Sequence, residues 1–158
     1  MRPHFGILDA EFLLTKRKKR TYQRASLLKR FLNILIDYMA ILHFSIFVGV
    51  LLGTIFVLIG KNEWVEIFRK GYVNIAISWI VIFLYYFIGE NFLKGRTLGK
   101  FATKTRVRNV SGEEPSTNDI LIRSLTRLIP LEPLTIFLGE QQNESWHDAL
   151  SETMVVED

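Results

Sequence analysis

Residues 34–60 read ILIDYMAILHFSIFVGVLLGTIFVLIG, and Asp37 and His43 are the only acidic or basic side chains among them. From residue 44 onward this block contains no such side chain at all. A helix needs about 20 consecutive apolar residues to cross the hydrocarbon core of a bilayer. The block therefore predicts a membrane-spanning helix over about 34–60.

A second apolar block covers residues 72–93, reads YVNIAISWIVIFLYYFIGENFL and carries a single charged residue, Glu90. The connection between the two blocks is short and polar. Trp64 and Tyr72 suit the headgroup level of a bilayer, where aromatic residues are enriched. The pattern predicts a second membrane-spanning helix and an outer loop.

Basic residues are distributed unevenly around the two blocks. Nine Lys and Arg residues precede the first block, three lie between the blocks, and six lie within residues 94–108. Under the positive-inside rule this asymmetry places both ends of the chain in the cytoplasm. The basic run at residues 16–20 is interpreted as a topology determinant that contacts anionic lipid headgroups, and no nucleic-acid partner is expected because no recognition motif accompanies it.

The composition limits the chemistry that this chain can perform. It has 158 residues, is 49% apolar and contains no cysteine, which excludes disulfides, thiolate nucleophiles and sulfur-ligated metals. The first block begins too late and runs too long for a cleaved signal peptide, so we interpret it as a retained anchor. No metal-ligand cluster, nucleophile elbow or cofactor loop is recognisable, and we expect neither a metal, nor a cofactor, nor enzymatic activity.

Short elements are predicted beyond the second block. Residues 103–112 alternate like a strand and end on a turn, and residues 154–156 are a candidate partner strand. We therefore expect a small cytoplasmic β element next to two membrane-spanning helices.

The segment between these strands predicts an amphipathic helix over about 117–138. Ser116 and Asp119 have the spacing of a capping box, which opens a helix. The helix would carry one apolar and one polar stripe; the two stripes are Leu121, Leu125 and Leu128, and Asp119, Arg123 and Arg127. Charged residues and two prolines favour an interfacial or re-entrant placement over a third crossing.

Ser45, Gly49 and Gly53 lie four residues apart in the first block. This spacing places small side chains in a line down one helix face, where another helix could approach closely. Glycine is also common in membrane helices in general. A packing seam and a plain compositional preference therefore both stay open.

Acidic side chains inside the apolar blocks need partners. Arg30, Asn33 and Asp37 share one helix face, and Asp37 and Glu90 fall at a similar depth because the two spans run antiparallel. A carboxylate at that depth costs several kcal/mol unless it is paired, hydrated or protonated. The candidate partners are Arg30, Arg123 and Arg127.

These residues together resemble the RDD family of bacterial membrane proteins. The resemblance covers about residues 24–157; it rests on Arg30, Asp37, Gly95-Arg96-Thr97-Leu98-Gly99-Lys100, Val107, Gly112, Pro115, Arg123, Arg127, His147-Asp148 and Thr153-Met154-Val155-Val156. The family is named for one arginine and two aspartates, which by position here are Arg30, Asp37 and Asp148. Trp146 and the basic N-terminal extension depart from the family pattern.

The resemblance implies a membrane domain over residues 30–157, preceded by a basic cytoplasmic segment over residues 1–29. We expect an all-α integral protein of the bacterial cytoplasmic (inner) membrane, with the short β element on the cytoplasmic side. Most members of the family have no established activity, and the family is loosely associated with transport.

Two motifs could be read as chemical sites. The first, which we call the turn motif, consists of Gly95, Thr97, Gly99 and Lys100. It lacks the spacing of a nucleotide-binding loop, so we interpret it as a tight turn with Lys100 near lipid phosphate. The second is His147 with Asp148, for which no nucleophile is recognisable. Asp148 is therefore expected to pair with an arginine and to anchor the C-terminal segment, residues 146–157.

Two functions are compatible with these features. In the first, a homo-oligomer, or a complex with a partner membrane protein, forms a transport-related unit that uses the embedded carboxylates Asp37 and Glu90 to move an ion or couple a solute to protons. In the alternative, the chain is a non-transporting scaffold or assembly factor held together by structural ion pairs. Those pairs would involve Arg30, Asp37, Arg123, Arg127 and Asp148.

Overall fold

A computed structural model describes residues 22–137 and 144–158. The basic run at residues 16–20 and the last residue of the predicted segment 117–138 lie outside the described residues. In chain order the elements are α1 (Leu27–Leu58), α2 (Asn62–Arg69), α3 (Gly71–Phe92), α4 (Leu98–Thr103), β1 (Thr105–Asn109), α5 (Thr117–Thr126), a 3-10 helix (Glu132–Phe137), α6 (Trp146–Leu150) and β2 (Thr153–Glu157).

The first helix, α1, contains almost the whole first apolar block. It begins after Ser26, whose hydroxyl accepts a hydrogen bond from the backbone N–H of Lys29 at 3.4 Å. At about 1.5 Å per residue its 32 residues extend about 48 Å, more than the roughly 30 Å of a hydrocarbon core. The first turns of α1 therefore reach beyond the apolar block, and they carry Arg30 and Asn33.

Most side chains on α1 and α3 are exposed. Only 6% of the most apolar 18-residue window of each helix is buried. The core helix of a soluble protein would hide most of such a window from solvent. Phe47 and Val50, for example, are each 65% exposed. Both helices are thus long and apolar enough to cross a membrane, and their exposure fits lipid as the surrounding solvent.

The connection between the two long helices contains a short helix, where the sequence indicated only a polar loop. Trp64 and Phe68 lie four residues apart on one face of α2 and stack on Phe56 of α1, with ring centroids 5.9 and 5.6 Å away. The same helix also contacts α3. Aromatic contacts therefore join α1 to α2, and α2 in turn contacts α3 at this end.

The strands β1 and β2 pair antiparallel, with Val107 opposite Val155. Gly95 makes the turn that leads from α3 toward β1, at a φ of 80° that favours glycine. A Cβ at Gly95 would lie only 2.7 Å from the carbonyl oxygen of Val107. The backbone N–H of Ala25 donates to the carbonyl of Val155 at 2.9 Å, so the residues just before α1 lie beside the last strand.

The segment after β1 differs from the single helix predicted over about 117–138. Ser116 and Asp119 form the predicted capping box, but α5 ends at Thr126 and the chain continues as a separate 3-10 helix. Pro130 explains the break, because it has no N–H to donate to the carbonyl of Thr126.

The amphipathic α5 is oriented opposite to a helix on the surface of a soluble protein. Arg123 is completely buried, whereas Leu121 and Leu125 are 36% and 49% exposed. A soluble protein would turn the apolar stripe toward its core. Here the polar stripe faces the protein interior and the apolar stripe faces outward.

Gly99 allows α4 to lie directly against α1. A Cβ at this position would lie 2.4 Å from the carbonyl oxygen of Asn33, far inside van der Waals contact. Gly99→Ala should therefore lower the free energy of unfolding by about 1–3 kcal/mol, the usual range for overpacking. Thermal unfolding of the purified protein in detergent measures this change.

Gly49→Ala is the matched control, because no atom lies within 4 Å of a Cβ built at Gly49. This variant should unfold at the wild-type temperature or slightly above it, since alanine favours a helix over glycine. Equal unfolding temperatures for the two variants would contradict the close contact of α4 with α1.

Candidate functional site

Eight charged side chains gather where the beginning of α1 and the end of α3 meet the C-terminal elements. We call this group the charge cluster; its members are the cations Arg30, Lys100, Arg123 and Arg127 and the carboxylates Asp37, Glu90, Glu132 and Asp148. None of these side chains is more than 7% exposed. Charges so far removed from water are tolerated only when they are paired and hydrogen-bonded.

Glu90, near the end of α3, is surrounded by three cations. Its Oε1 accepts a hydrogen bond from Nζ of Lys100 at 2.9 Å and lies 3.5 Å from Nη2 of Arg127. Its Oε2 accepts a hydrogen bond from Nε of Arg123 at 3.0 Å. Since Lys100 lies on α4 while Arg123 lies on α5 and Arg127 directly after it, Glu90 joins three segments of the chain.

Asp148, on α6, lies between two arginines. Its Oδ1 accepts a hydrogen bond from Nη1 of Arg123 at 2.5 Å, and its Oδ2 accepts one from Arg30. Arg30 also donates to the hydroxyl of Ser145 at 2.9 Å. The pairing of Asp148 with an arginine, expected from the sequence, is present in the structure twice over, and it ties α6 to both α1 and α5.

Asp37 is not paired with Arg30, Arg123 or Arg127, the candidate partners that the sequence offered. Its carboxylate accepts three hydrogen bonds of 2.7 Å, from the Tyr85 hydroxyl, the Thr97 hydroxyl and the backbone N–H of Gly99. The close approach of α4 to α1 brings these neutral donors against Asp37, while Arg30 is engaged by Asp148. The buried carboxylate is thus satisfied without a counter-charge.

The turn motif forms part of this site, and Lys100 does not face lipid phosphate as the sequence suggested. Lys100 is 2% exposed, and its ammonium is bound by Glu90. Burial lowers the pKa of Lys100, and the carboxylate of Glu90 opposes that shift. The prediction was wrong because α4 folds back onto α1, an arrangement that the local sequence pattern does not reveal.

His147 and Glu132 form a pair that the sequence analysis did not anticipate. Nδ1 of His147 lies 2.5 Å from Oε1 of Glu132, and Nε2 lies 3.1 Å from Nη2 of Arg127. Because a guanidinium can only donate, Nε2 accepts and Nδ1 carries the proton that is donated to Glu132. Burial and the nearby charge of Arg127 lower the pKa of His147 from 6.5 to about 4. With His147 neutral, the four cations and four carboxylates of the charge cluster balance.

Uncharged groups complete the site. The Asn33 amide is hydrogen-bonded with the hydroxyl of Thr105 at 3.0 Å, and the guanidinium of Arg127 lies 4.0 Å from the ring centroid of Tyr86. His43 instead contacts the backbone carbonyl of Met39 at 2.7 Å within α1. Asn33 thus belongs to the site, as expected, whereas His43 makes a local helix contact.

Glu132, Tyr85 and Tyr86 are members of the site that sequence reasoning missed. A signal existed for Glu132, because a carboxylate between two prolines in an apolar segment needs a partner. No comparable signal marked the tyrosines, since aromatic residues are ordinary constituents of a membrane span.

A cavity of about 20 Å³ lies within the charge cluster, and its lining includes Arg30, Asp37, Lys100, Arg127 and His147. A cavity of at least about 10–15 Å³ with polar walls can hold one water molecule. The space therefore suits a single water and is too small for a solute. Among residues 22–137 and 144–158, no group of three His, Asp or Glu side chains is placed to bind a metal ion.

The buried arginine that bridges two carboxylates should be essential for stability. Arg123→Gln leaves Glu90 and Asp148 without one cation each, and we expect a loss of about 3–5 kcal/mol in the free energy of unfolding. The same change at Arg69, whose pair with Glu66 is exposed, should alter stability by less than about 1 kcal/mol. Thermal unfolding in detergent compares the two; similar effects would show that the buried pairs contribute no more than an exposed one.

Acidification should destabilise the protein through His147. Its pKa is lower in the folded state, so between pH 6.5 and about 4 the unfolded state binds a proton that the folded state does not. The free energy of unfolding should fall as the pH decreases across this window, by up to about 1.4 kcal/mol per pH unit.

Unfolding temperatures measured between pH 7 and pH 5 test this dependence. Ordinary carboxylates titrate at roughly pH 4, below this range, so their contribution is small there. His147→Gln should flatten the curve, because glutamine does not titrate. Glu132 and Asp148 also have lowered pKa values, and their contribution is lost only at lower pH. A slope unchanged in His147→Gln would assign the pH dependence to another group.

Comparison with known proteins identifies the family. The RDD family matches residues 24–152, most of the chain, and this range includes Arg30, Asp37 and Asp148. The chain has no significant match among curated proteins or among solved structures. The family match and the two long apolar helices show that this chain belongs to the RDD family and is a membrane protein.

Proposed function

We propose that the chain is a non-transporting membrane scaffold or assembly factor whose charge cluster has a structural role. The enclosure of Glu90 by three cations and of Asp148 by two arginines supports this proposal most directly. A carboxylate enclosed in this way has no free side at which a passing ion could bind. Its effect is to hold α1, α3, α4, α5 and α6 together.

We propose that the charge cluster lies at the cytoplasmic face of the bacterial inner membrane. The excess of basic residues before the first span and after the second, compared with the three between the spans, supports this orientation, with both chain ends and the β1–β2 sheet in the cytoplasm. At about 1.5 Å per residue α5 is only about 15 Å long, too short to cross a bilayer. Its exposed apolar stripe supports an interfacial or re-entrant position, with anionic lipid headgroups as neighbours of the basic segments.

A transport-related role in an oligomer is the second candidate. Asp37 favours it, because the three donors that bind this carboxylate within the described residues are all neutral, and because it lines the small cavity. A cavity that holds about one water is not a path, so a second copy or a partner membrane protein would have to extend it. We also predict that the protein has no enzymatic activity and needs no cofactor.

Glu90→Gln tests the structural role. Removing this charge leaves Lys100 buried without its counter-charge and leaves Arg123 with Asp148 alone, so the variant should accumulate poorly and lose about 3–5 kcal/mol of stability. Glu66→Gln, the same change on an exposed residue of α2, should behave as wild type. Protein abundance in membranes and the unfolding temperature in detergent are the measurements.

Flux measurements separate the two candidate functions. Under the scaffold proposal, wild-type protein in liposomes carries no proton or sodium flux. Asp37→Asn should be destabilised, because asparagine has one acceptor oxygen for three donors and its NH2 group cannot accept the bond from the Thr97 hydroxyl. A wild-type flux that disappears in an Asp37→Asn variant of normal stability would overturn the scaffold proposal and establish the transport role.

A further inference from the structure

A cleft of about 320 Å³ separates the middle parts of α1 and α3. Ser45, Gly49 and Gly53 line it on the α1 side, and Ile77 and Val81 line it on the α3 side. No atom lies within 4 Å of a Cβ built at either glycine. The small residues of α1 therefore face open space, and they do not form a packing seam with α3.

The cleft is held open from both ends. At one end Phe56 stacks on Trp64 and Phe68 of α2, and at the other Asp37 of α1 accepts a hydrogen bond from Tyr85 of α3. Because both ends are fixed, the helices cannot close the gap by moving together. An empty gap would forfeit the dispersion contacts of its walls, and an apolar group in the cleft would restore them.

The size of the cleft and the polarity of its lining residues indicate what kind of molecule can occupy it. A hydrocarbon chain is thinner than an α-helix, which is roughly 10 Å across with its side chains, so it needs less separation between α1 and α3. Water is disfavoured because a mostly apolar wall offers it too few hydrogen-bond partners. A single hydrocarbon chain is narrow enough, apolar, and abundant around two exposed membrane-spanning helices.

Arg69 adds a charged group to the same cleft. It lies at the end of α2, lines the cleft and is 73% exposed, and its ion pair with Glu66 at 3.3 Å is equally exposed and therefore weak. A guanidinium matches the geometry of a phosphate and binds it with two parallel hydrogen bonds. The mouth of the cleft thus offers a phosphate site beside an apolar channel.

We propose that the cleft binds one phospholipid, with an acyl chain between α1 and α3 and its phosphate at Arg69. No residue of the charge cluster lines the cleft, although Asp37 holds one of its ends, so the lipid site is separate from the scaffold or transport role. The lipid would complete the packing of the two spans in the part where they do not touch each other.

Native mass spectrometry of the purified protein, delipidated in detergent and then incubated with phosphatidylglycerol, tests the proposal. Wild type should retain one lipid, and Gly49→Leu combined with Gly53→Leu should retain none because leucine side chains fill the cleft. Ala76→Leu adds the same kind of side chain to α3 at an exposed position outside the cleft and should bind as wild type does. Arg69→Gln should weaken binding about fivefold, the contribution of one basic residue near an anionic headgroup.

Three results would overturn the proposal. Wild type could retain no lipid, or the double leucine variant could retain as much as Ala76→Leu. Wild type could also be a dimer while the double leucine variant is a monomer. That result would identify a second copy of the chain as the occupant of the cleft. Unfolding temperatures check that each variant is folded, and Ser45→Leu provides a second filling variant to be judged by the same lipid count.

Discussion

The structure depends on the requirement that a charge buried away from water must meet an opposite charge or a hydrogen-bond donor. Arg123 satisfies this requirement for two carboxylates at once, Glu90 at 33 residues' distance along the chain and Asp148 at 25. Arg30 then reaches Asp148 across 118 residues. Because each ion is costly to bury alone, these contacts form together, and they close the C-terminal elements onto the ends of the two spans.

The surroundings of the charge cluster show which solvent the protein is adapted to. The charge cluster is buried, whereas many large apolar side chains of α1 and α3 and Leu121 and Leu125 of α5 are exposed. This arrangement reverses the usual distribution of a soluble protein, in which the charged residues are mostly exposed. Lipid explains the reversal. Moving leucine from hydrocarbon into the protein gains little free energy, and hydrocarbon cannot solvate an exposed arginine.

The three residues that give the RDD family its name have two different structural roles here. Arg30 and Asp148 bind each other and fix the C-terminal segment, whereas Asp37 receives the donors of the turn motif and fixes α4 and α3 against α1. The hydrogen bond from Tyr85 to Asp37 and the aromatic contacts of Phe56 hold opposite ends of the spans. Between these two attachments the helices stand apart, which leaves the cleft to which we assign a phospholipid.

The sequence by itself determined the two spans, the capping box at Ser116 and the position of the β segments, because apolar length, cap spacing and alternation are local properties. It did not determine the partners of Asp37, the burial of Lys100 or the pair of His147 with Glu132. Those depend on where α4 and the 3-10 helix fold back, and groups 10 to 62 residues apart have no periodic relation that a local pattern could reveal. Only the tertiary structure decides which buried donor reaches which carboxylate, since hydrogen bonding requires atoms within about 3 Å of each other.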